Sequence, residues 1–526
     1  MEPSAPSTPD AVVIGAGPNG LVAANLLADA GWSVLLLEAQ PDIGGAVRST
    51  REVHPAYVHD TFSSFYPLGA ASPIIRGLGL EDHGLVWEQA PAPFGTPYVG
   101  GGWALVHRDR EATAEALERQ HPGDGRAWLR LCRQWDRVGP SLVGALLSPF
   151  PPVRHGIGML ARLPGAGGLG LVRELLSPVR TVLDSELRGT APRLLLAGNA
   201  LHADIPLDSP GSGLMGLLLT MLAQDVGFPV PRGGAGQLTG AMGRRLEQRG
   251  GQLRTDARVE QVLVERGRAV GVRLAGGEVV RAGRAVLADV SAPALYGDLV
   301  APDQLPDRVL RAMRRFEWDP ATVKVDWALD GPIPWASAPE AAPGTVHVLD
   351  SIDDLHRFET ELRAGHVSDR PYLVMGQMAT ADPTRAPAGG ESVWAYTHVP
   401  QDARSGPPGF TGRWDEADKD LVAGLFERRI AELAPGFADR VVARRVLGPP
   451  DLQARDANLV GGALGGGTAA LQQQLIFRPV PGWGRAETPV GRLFLASASA
   501  HPGGGVHGAP GANAARAALL HARLPG

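Results

Sequence analysis

Apolar and polar positions alternate with different periods along the chain, and the period changes mark its elements. Ala11-Val12-Val13-Ile14 is an unbroken apolar run, a helical stretch follows it, and Ser33 to Leu37 is a second run. Strands without alternation are buried on both faces, so strand, helix and strand here predict a βαβ unit. Tyr57 to Phe65 alternates enough to predict a strand entering a loop. From about Arg108 to Val226 the period is helical, clearest over Glu111–Gln120 and Gly125–Val138. Pro140 to Leu176 is rich in Leu, Gly and Pro, with Arg154, Arg162 and Arg173 spread through it. Its pattern breaks at Pro151-Pro152 and Pro164-Gly165, which favours a helical lid over an apolar cavity; an in-plane membrane contact is the alternative. Gly213 to Leu222 has the length of a core helix.

A glycine loop at 231–238 opens a helix over Thr239–Arg249, which Gly250-Gly251 stops. Ala257–Val264 and Ala269–Leu274 then predict a β-meander, and Arg284–Asp289 another buried strand. From Phe316 to Val446 a sheet is expected from Thr322–Leu329, Val346–Leu349, Tyr372–Met378 and Ser392–Val399, with a helix over Glu416–Leu433. This region holds Trp318, Trp327, Trp335, Trp394 and Trp414, which makes it a candidate substrate domain. The chain closes with a strand at Gly491–Ser497, a glycine-rich loop at Ala500–Gly511 and a helix at Ala512–Leu520.

A length of 526 residues exceeds what one core normally organises, so at least two domains are expected. A net charge of −5 without a basic stripe excludes nucleic acid as an expected partner. Cys132 is the single cysteine, which rules out a Cys-x-x-Cys redox centre and fits a reducing cytosol. Met1 to Pro9 carries no basic n-region or apolar h-region, so no secretory signal is expected, and no uncharged 18-residue apolar run predicts a membrane span. The 14 histidines show no metal-ligand spacing, so no metal is expected. Only Lys324 and Lys419 are lysines among 50 basic residues.

The chemistry begins at Gly15, Gly17 and Gly20. Gly15 turns the chain after the first strand, Gly17 admits a pyrophosphate, and Gly20 lets the helix pack on the strand, so that free N–H groups and the helix dipole meet the phosphates. Glu38 ends the second strand where an acid accepts ribose hydroxyls and repels a 2′-phosphate. The front motif alone fits NAD and FAD equally. The second glycine-lined helix start, His501 to Gly511, decides for FAD, because an extended flavin needs N–H donors near N1 and O2 far from its adenine end.

Glu38 followed by Gly44-Gly45 and Arg48 resembles the second signature of the FAD-binding amine oxidases and phytoene desaturases, with Ala46 where those proteins often carry Arg. The Ala-Val variant is similar to the carotenoid ketolase subgroup. Residues 231–262 resemble the middle FAD segment of that family, which implies that the backbone of Val259 meets the adenine edge. His501-Pro502-Gly503-Gly504-Gly505-Val506 resembles the C-terminal flavin loop, which implies flavin contacts from Gly503, Gly504, Gly505 and Val506. In that family the segment 57–65 runs beside the flavin ring, with Asp60 either there or capping a turn. Lys324 resembles the lysine that holds a water against flavin N5 in amine oxidases; the alternative is a strand-edge lysine paired with Asp326 on the same face. His507 is the other catalytic candidate, with a backbone-bonded loop histidine as its alternative, and His202 and Asp204 are expected to line the cavity.

The resemblance implies an α/β fold: a Rossmann-type FAD-binding domain of the glutathione-reductase-2 or amine-oxidase kind, built from residues 9–100, 228–300 and 455–526. A discontinuous α+β substrate domain with a helical lid takes 101–227 and 301–454. The implied activity is an FAD-dependent oxidoreductase that dehydrogenates or oxidises an apolar, carotenoid- or isoprenoid-like molecule by hydride transfer to flavin N5. Electrons then leave to a separate acceptor, oxygen or a quinone. A cytoplasmic location with peripheral membrane contact is expected. The alternatives are an amine oxidase-like enzyme and a non-catalytic prenyl-binding carrier of the same fold.

Overall fold

A computed structural model describes residues 8–523; of the leader expected to lack a signal, residues 1–7 lie outside them. Five parallel strands drawn from three distant stretches make the first sheet, in the spatial order Leu493–Leu495, Ala285–Ala288, Ala11–Ile14, Val34–Leu37 and Gln252–Arg254. The first strand in sequence lies in the middle, so the strand order reverses across it, and ligands of open α/β sheets bind at the carboxyl side of such a switch point. Its unalternating apolar pattern has a direct cause. Ala11 and Val13 pack toward the helices Pro18–Asp29, Gly236–Gln248 and Ala509–His521, while Val12 and Ile14 pack toward the meander Val259–Glu265, Arg268–Leu274 and Val279–Arg281.

The first and last helices lie against each other without room for side chains at their starts. A Cβ on Gly511 would stand 1.9 Å from the Asn19 carbonyl oxygen, and one on Gly20 would stand 2.0 Å from that of Gly15. The two glycine turns at the ends of the chain are thereby neighbours.

The second sheet has seven strands in the order Val441–Leu447, Ala321–Leu329, Glu391–Val399, Leu373–Gln377, Pro343–Val348, Ala92–Pro97 and Trp103–Val106. Each neighbouring pair is antiparallel except Pro343–Val348 with Ala92–Pro97. One face, with Val323, Val325 and Trp327, packs on Phe426 and Ile430 of the helix Glu416–Ala431. The other face presents Phe94, Trp394 and Tyr396 to the helices Thr190–His202 and Ser212–Asp225.

Three expectations are modified. Residues 92–97, placed by sequence within the cofactor segment 9–100, belong to the second sheet: Ala-Pro-Phe-Gly-Thr-Pro pairs with Pro343–Val348, and Phe94 stacks on Phe228. Within 57–65 only His59-Asp60 forms a strand, paired to Ser49-Thr50. Between 140 and 176, one helix runs Asp124–Leu146 through Pro140, followed by Val153–Arg162 and Leu169–Leu176. Val153–Arg162 buries none of its residues, and Val153, Ile157, Leu160, Leu169 and Leu176 are all exposed, so this apolar surface faces out rather than onto a cavity.

Candidate active site

The cofactor cradle is built from the loops that leave the carboxyl ends of the parallel strands. After the first strand, Gly15 adopts φ +90°, and Gly17 caps the first helix without offering its amides a side chain of its own. The loop after the second strand lies on this turn: Gly44 N donates to Ala16 O (2.8 Å), and a Cβ on Gly45 would stand 3.1 Å from Gly17 Cα. Arg48 locks the loop by donating from Nε to Gly45 O (2.9 Å) and from Nη2 to Arg455 O (2.6 Å). Glu38 accepts from Ala16 N (2.7 Å) and Gln40 N (2.9 Å), which places its carboxylate at the turn. Its carbonyl accepts from Ala257 N (2.8 Å), which brings the start of the meander, and Val259, to the end of the second strand.

Two acids here escaped the sequence reading. Asp289, the residue after Ala285–Ala288, accepts from Gly20 N (2.8 Å) at the mouth of the first helix. Burial, with Asp456 and Glu38 nearby, pushes its carboxyl up to about 8. Asp456 sits against Gly45 and is likewise raised by burial. Inspecting the residue after every buried strand, rather than after only the first two, finds Asp289; nothing local marks Asp456.

The C-terminal loop is tightly held. Gly503 and Gly505 have φ of +114° and +125°, and Val506, a β-branched residue, has φ +52°, a strained geometry of the kind that clusters at functional sites. Ser72 Oγ donates to His507 O (2.7 Å), and Gly504 lies on Gly465, whose carbonyl oxygen would stand 3.1 Å from a Cβ there. His507 is buried with both ring nitrogens engaged: Nδ1 accepts from Ala509 N (3.1 Å), so Nε2 donates to Gly504 O (3.1 Å). Burial pulls its pKa down to about 4. As bonded, His507 orders the loop and has no nitrogen free for substrate, which corrects its assignment as a catalytic group. The last helix is capped by Gly508, which like Gly17 offers no side chain of its own. Two glycine-capped helix N-termini lie side by side, each with one first-turn amide taken, by Asp289 and by His507, and the amides left over fit the pyrophosphate and the flavin of one FAD.

On the inner face of the second sheet, Lys324 is buried, ion-paired with Asp326, and donates to Asp60 O (2.9 Å). Desolvation lowers the Lys324 pKa, while desolvation of Asp326 is outweighed by Lys324 and Arg445, which hold its carboxyl low. Arg445 closes the group from the other side, with Nη2 2.7 Å from Asp326 Oδ2. The Asp60 carboxylate accepts from Ser49 Oγ (2.8 Å), Ala235 N (2.8 Å) and Arg385 Nη1 (3.0 Å), and Arg385 Nε donates to Asp382 (2.8 Å). This buried cluster joins the glycine loop before Gly236–Gln248 to the second sheet.

Aromatic rings run along the same face. Phe65 meets Trp394 (centroids 6.1 Å), Trp394 stacks on Tyr396 (6.0 Å), and Tyr396 meets His202 and His398. His202 lies 3.2 Å from His347, and burial pulls its pKa down to about 4, so both imidazoles are neutral. Asp204 pairs with His398 at 2.5 Å. The two border a cavity of about 310 Å³ with Leu201, Trp318 and Asp319. Asp204 borders this cavity, whereas His202 stands one layer deeper. Asp319 accepts from the amides of Leu464, Gly465 and Gly467, so one loop separates this cavity from the flavin loop. Among the described residues no cluster of three metal-ligating side chains occurs.

Comparison with known proteins agrees with this geometry. Residues 13–76 match the NAD(P)-binding Rossmann-like domain, and residues 165–403 match the flavin containing amine oxidoreductase family. The chain is 30% identical over 96% of its length to mouse pyridine nucleotide-disulfide oxidoreductase domain-containing protein 2, of which it covers 92%. It is 26% identical to a neurosporene-forming phytoene desaturase of Cereibacter sphaeroides, over 95% of this chain and 92% of that one. A redesigned putrescine oxidase has the same fold, with a TM-score of 0.61 at 16% identity over 98% of this chain and 99% of that one. The disulfide in the mouse relative's name has no counterpart here, since Cys132 is single and buried. Two glycine turns gathered on one sheet, matched end to end by such relatives, place this chain in the superfamily of FAD-dependent phytoene desaturase and amine oxidase-like oxidoreductases.

Proposed function

We propose that the protein dehydrogenates or oxidises an apolar, isoprenoid- or carotenoid-like molecule and passes the electrons to a separate acceptor, oxygen or a quinone. The observation that supports this reading is the run of rings Phe65, Trp394 and Tyr396 on the inner face of the second sheet, which reaches the buried Lys324 and whose Trp394 N–H is already given to Met378 Sδ. FAD held there would supply the electron sink for the hydride. The chain's own residues would bind and orient: the two glycine turns would hold the ends of the cofactor, the aromatic rings would keep water out, and Val259, at the end of the second strand, would face the adenine. Lys324 spends two of its three N–H groups on Asp326 and Asp60 O, leaving one beside the Trp394 ring, 5.9 Å from its centroid. We assign that third donor to a water near N5.

The test is anaerobic mixing of the FAD-loaded protein with carotenoids, prenyl lipids and amines while the flavin absorbance is followed. Bleaching by an isoprenoid is expected. Bleaching by amines alone transfers the assignment to an amine oxidase, which the Trp394–Tyr396 pair beside Lys324 would serve. A bound flavin that nothing bleaches favours the carrier.

The same reading places the protein against a membrane. Between Asp136 and Glu174 there is no acidic residue but four arginines, 137, 154, 162 and 173, in a chain of net charge −5. The exposed Val153, Ile157 and Leu160 share one helix with Arg154 and Arg162, a pairing that suits an anionic bilayer surface. Ser148 O lies 3.1 Å from His501 Nε2, so this surface adjoins the flavin loop. Among the described residues no helix is long and apolar enough to cross a membrane. Flotation with phosphatidylglycerol-containing vesicles but not with pure phosphatidylcholine, lost in Ile157→Asp/Leu160→Asp, is the expected result; equal flotation of the variant refutes it.

A further inference from the structure

Among the described residues, no carboxylate is bonded to the buried cation Arg478. Its side chain is fully shielded from solvent, and its five N–H groups all go to backbone carbonyls. Nε donates to Ala498 O (3.0 Å), Nη1 to Gly467 O (3.3 Å) and Thr468 O (3.0 Å), and Nη2 to Gly465 O (2.9 Å) and Ala498 O (2.7 Å). Asp319, the one acid that acts on it, is occupied on the opposite side of the same loop by the amides of Leu464, Gly465 and Gly467. The loop 464–468 is thus clamped through its N–H groups by Asp319 and through its carbonyls by Arg478. Burial pulls the guanidinium down to about 10, which leaves it charged at neutral pH.

An isolated buried charge is costly, and a neutral side chain could brace a loop without that cost. The surroundings indicate what the charge faces. A Cβ on Gly503 would stand 3.6 Å from Arg478 Cζ, and Ala498, which takes two of the N–H groups, precedes the flavin loop by three residues. The cation therefore lies directly behind the turn whose amides face the flavin. Reduction of a flavin concentrates negative charge at N1 and O2, so a fixed positive charge behind that turn favours the reduced state.

We propose that Arg478 is a positioning and charge-tuning residue: it ties the 464–468 loop to the flavin turn and holds a permanent positive charge where reduction places negative charge on the FAD. This rests on FAD being bound at the 501–508 loop.

The test compares the FAD-loaded wild type with Arg478→Lys and Arg478→Gln, equilibrating each with a reference dye to obtain the two-electron reduction constant. Loss of the charge is expected to lower that constant by roughly ten- to a hundredfold in Arg478→Gln, about 30 mV per factor of ten for a two-electron couple. Arg478→Lys, which keeps the charge but loses donors, is expected to stay within about threefold of the wild type. Equal losses in both variants, or no loss in Arg478→Gln, overturn the proposal in favour of a purely structural brace. If neither variant retains flavin on purification, the affinities of each for added oxidised and anaerobically reduced FAD decide: a preference for reduced FAD kept in Arg478→Lys and lost in Arg478→Gln supports the proposal, and the same ratio in both overturns it. Failure of the wild type to take up FAD at all would instead count against the cofactor assignment.

Discussion

Gly511→Ala separates local helix propensity from tertiary contact more cleanly than any other single change. In a helix interior the substitution should stabilise by roughly 1 kcal/mol, because alanine loses less conformational entropy than glycine. Gly511 lies inside the last helix, but a Cβ there would stand 1.9 Å from Asn19 O, 2.7 Å from Asn19 C and 3.0 Å from Asn19 Cα. Ordinary heavy-atom contact is near ~3.5 Å, so the first and last helices would have to separate by about 1.5 Å, and the obstacle is backbone that no rotamer change relieves. Overpacking of this kind costs about 1–3 kcal/mol. The control is Gly156→Ala, in the helix Val153–Arg162, where a new Cβ meets nothing within 4 Å. Gly156→Ala should gain up to about 1 kcal/mol and Gly511→Ala should lose about 1–3, with FAD affinity falling only in the latter as the two helix starts part. Thermal midpoints and flavin fluorescence titrations measure both. Equal stability and equal FAD affinity in the two variants would refute the claim that the chain ends share one cleft.

Other outcomes stem from buried charge. Arg385→Met leaves Asp60 and Asp382 buried without their cation and should cost about 3–5 kcal/mol in denaturant unfolding; a loss below about 1 kcal/mol would contradict the joint between the glycine loop and the second sheet. The folded pKa of Asp289, about 8, is raised above its ordinary value of 3.8, so its contribution to stability is full below about pH 4 and lost as pH rises through 8. The FAD-free wild type should therefore lose stability from pH 5 to 8, by at most about 1.4 kcal/mol per pH unit from this group, and Asp289→Asn should remove that component of the slope. Parallel pH profiles would show that the carboxyl is not desolvated. Lys324→Met removes the donor assigned to the N5 water while leaving the distant phosphate turn intact, and is expected to slow flavin reduction by substrate at least tenfold without changing FAD affinity; an unchanged reduction rate would withdraw Lys324 from the chemistry.

The two glycine turns were legible in the sequence because they combine local signals: a strand, glycines at fixed spacing and a helix start. The inner strands of both sheets were legible for a similar reason, since burial on both faces or strict alternation writes itself into the pattern, as at Ala11–Ile14 and Ala321–Leu329. What escaped was set by partners far along the chain. Asp60 reads as a turn residue until Arg385, 325 positions on, is folded against it. Arg478 reads as one of 48 arginines, and only the carbonyls of two loops reveal it as a buried cation. The apolar content of 140–176 favours a lid in the sequence, because a period cannot tell a side chain facing a cavity from one facing outward. His507 was ambiguous for the same reason: the loop motif placed it near the flavin, but its tautomer and partners exist only in three dimensions.

Amide hydrogen exchange with and without FAD tests the central claim most directly. If a single cofactor spans both glycine turns, adding FAD to the stripped protein slows exchange in residues 15–20 and 501–511 together, at the same FAD concentration. Protection of the front turn alone, with the C-terminal loop unchanged, would show that the last glycine loop does not serve the flavin.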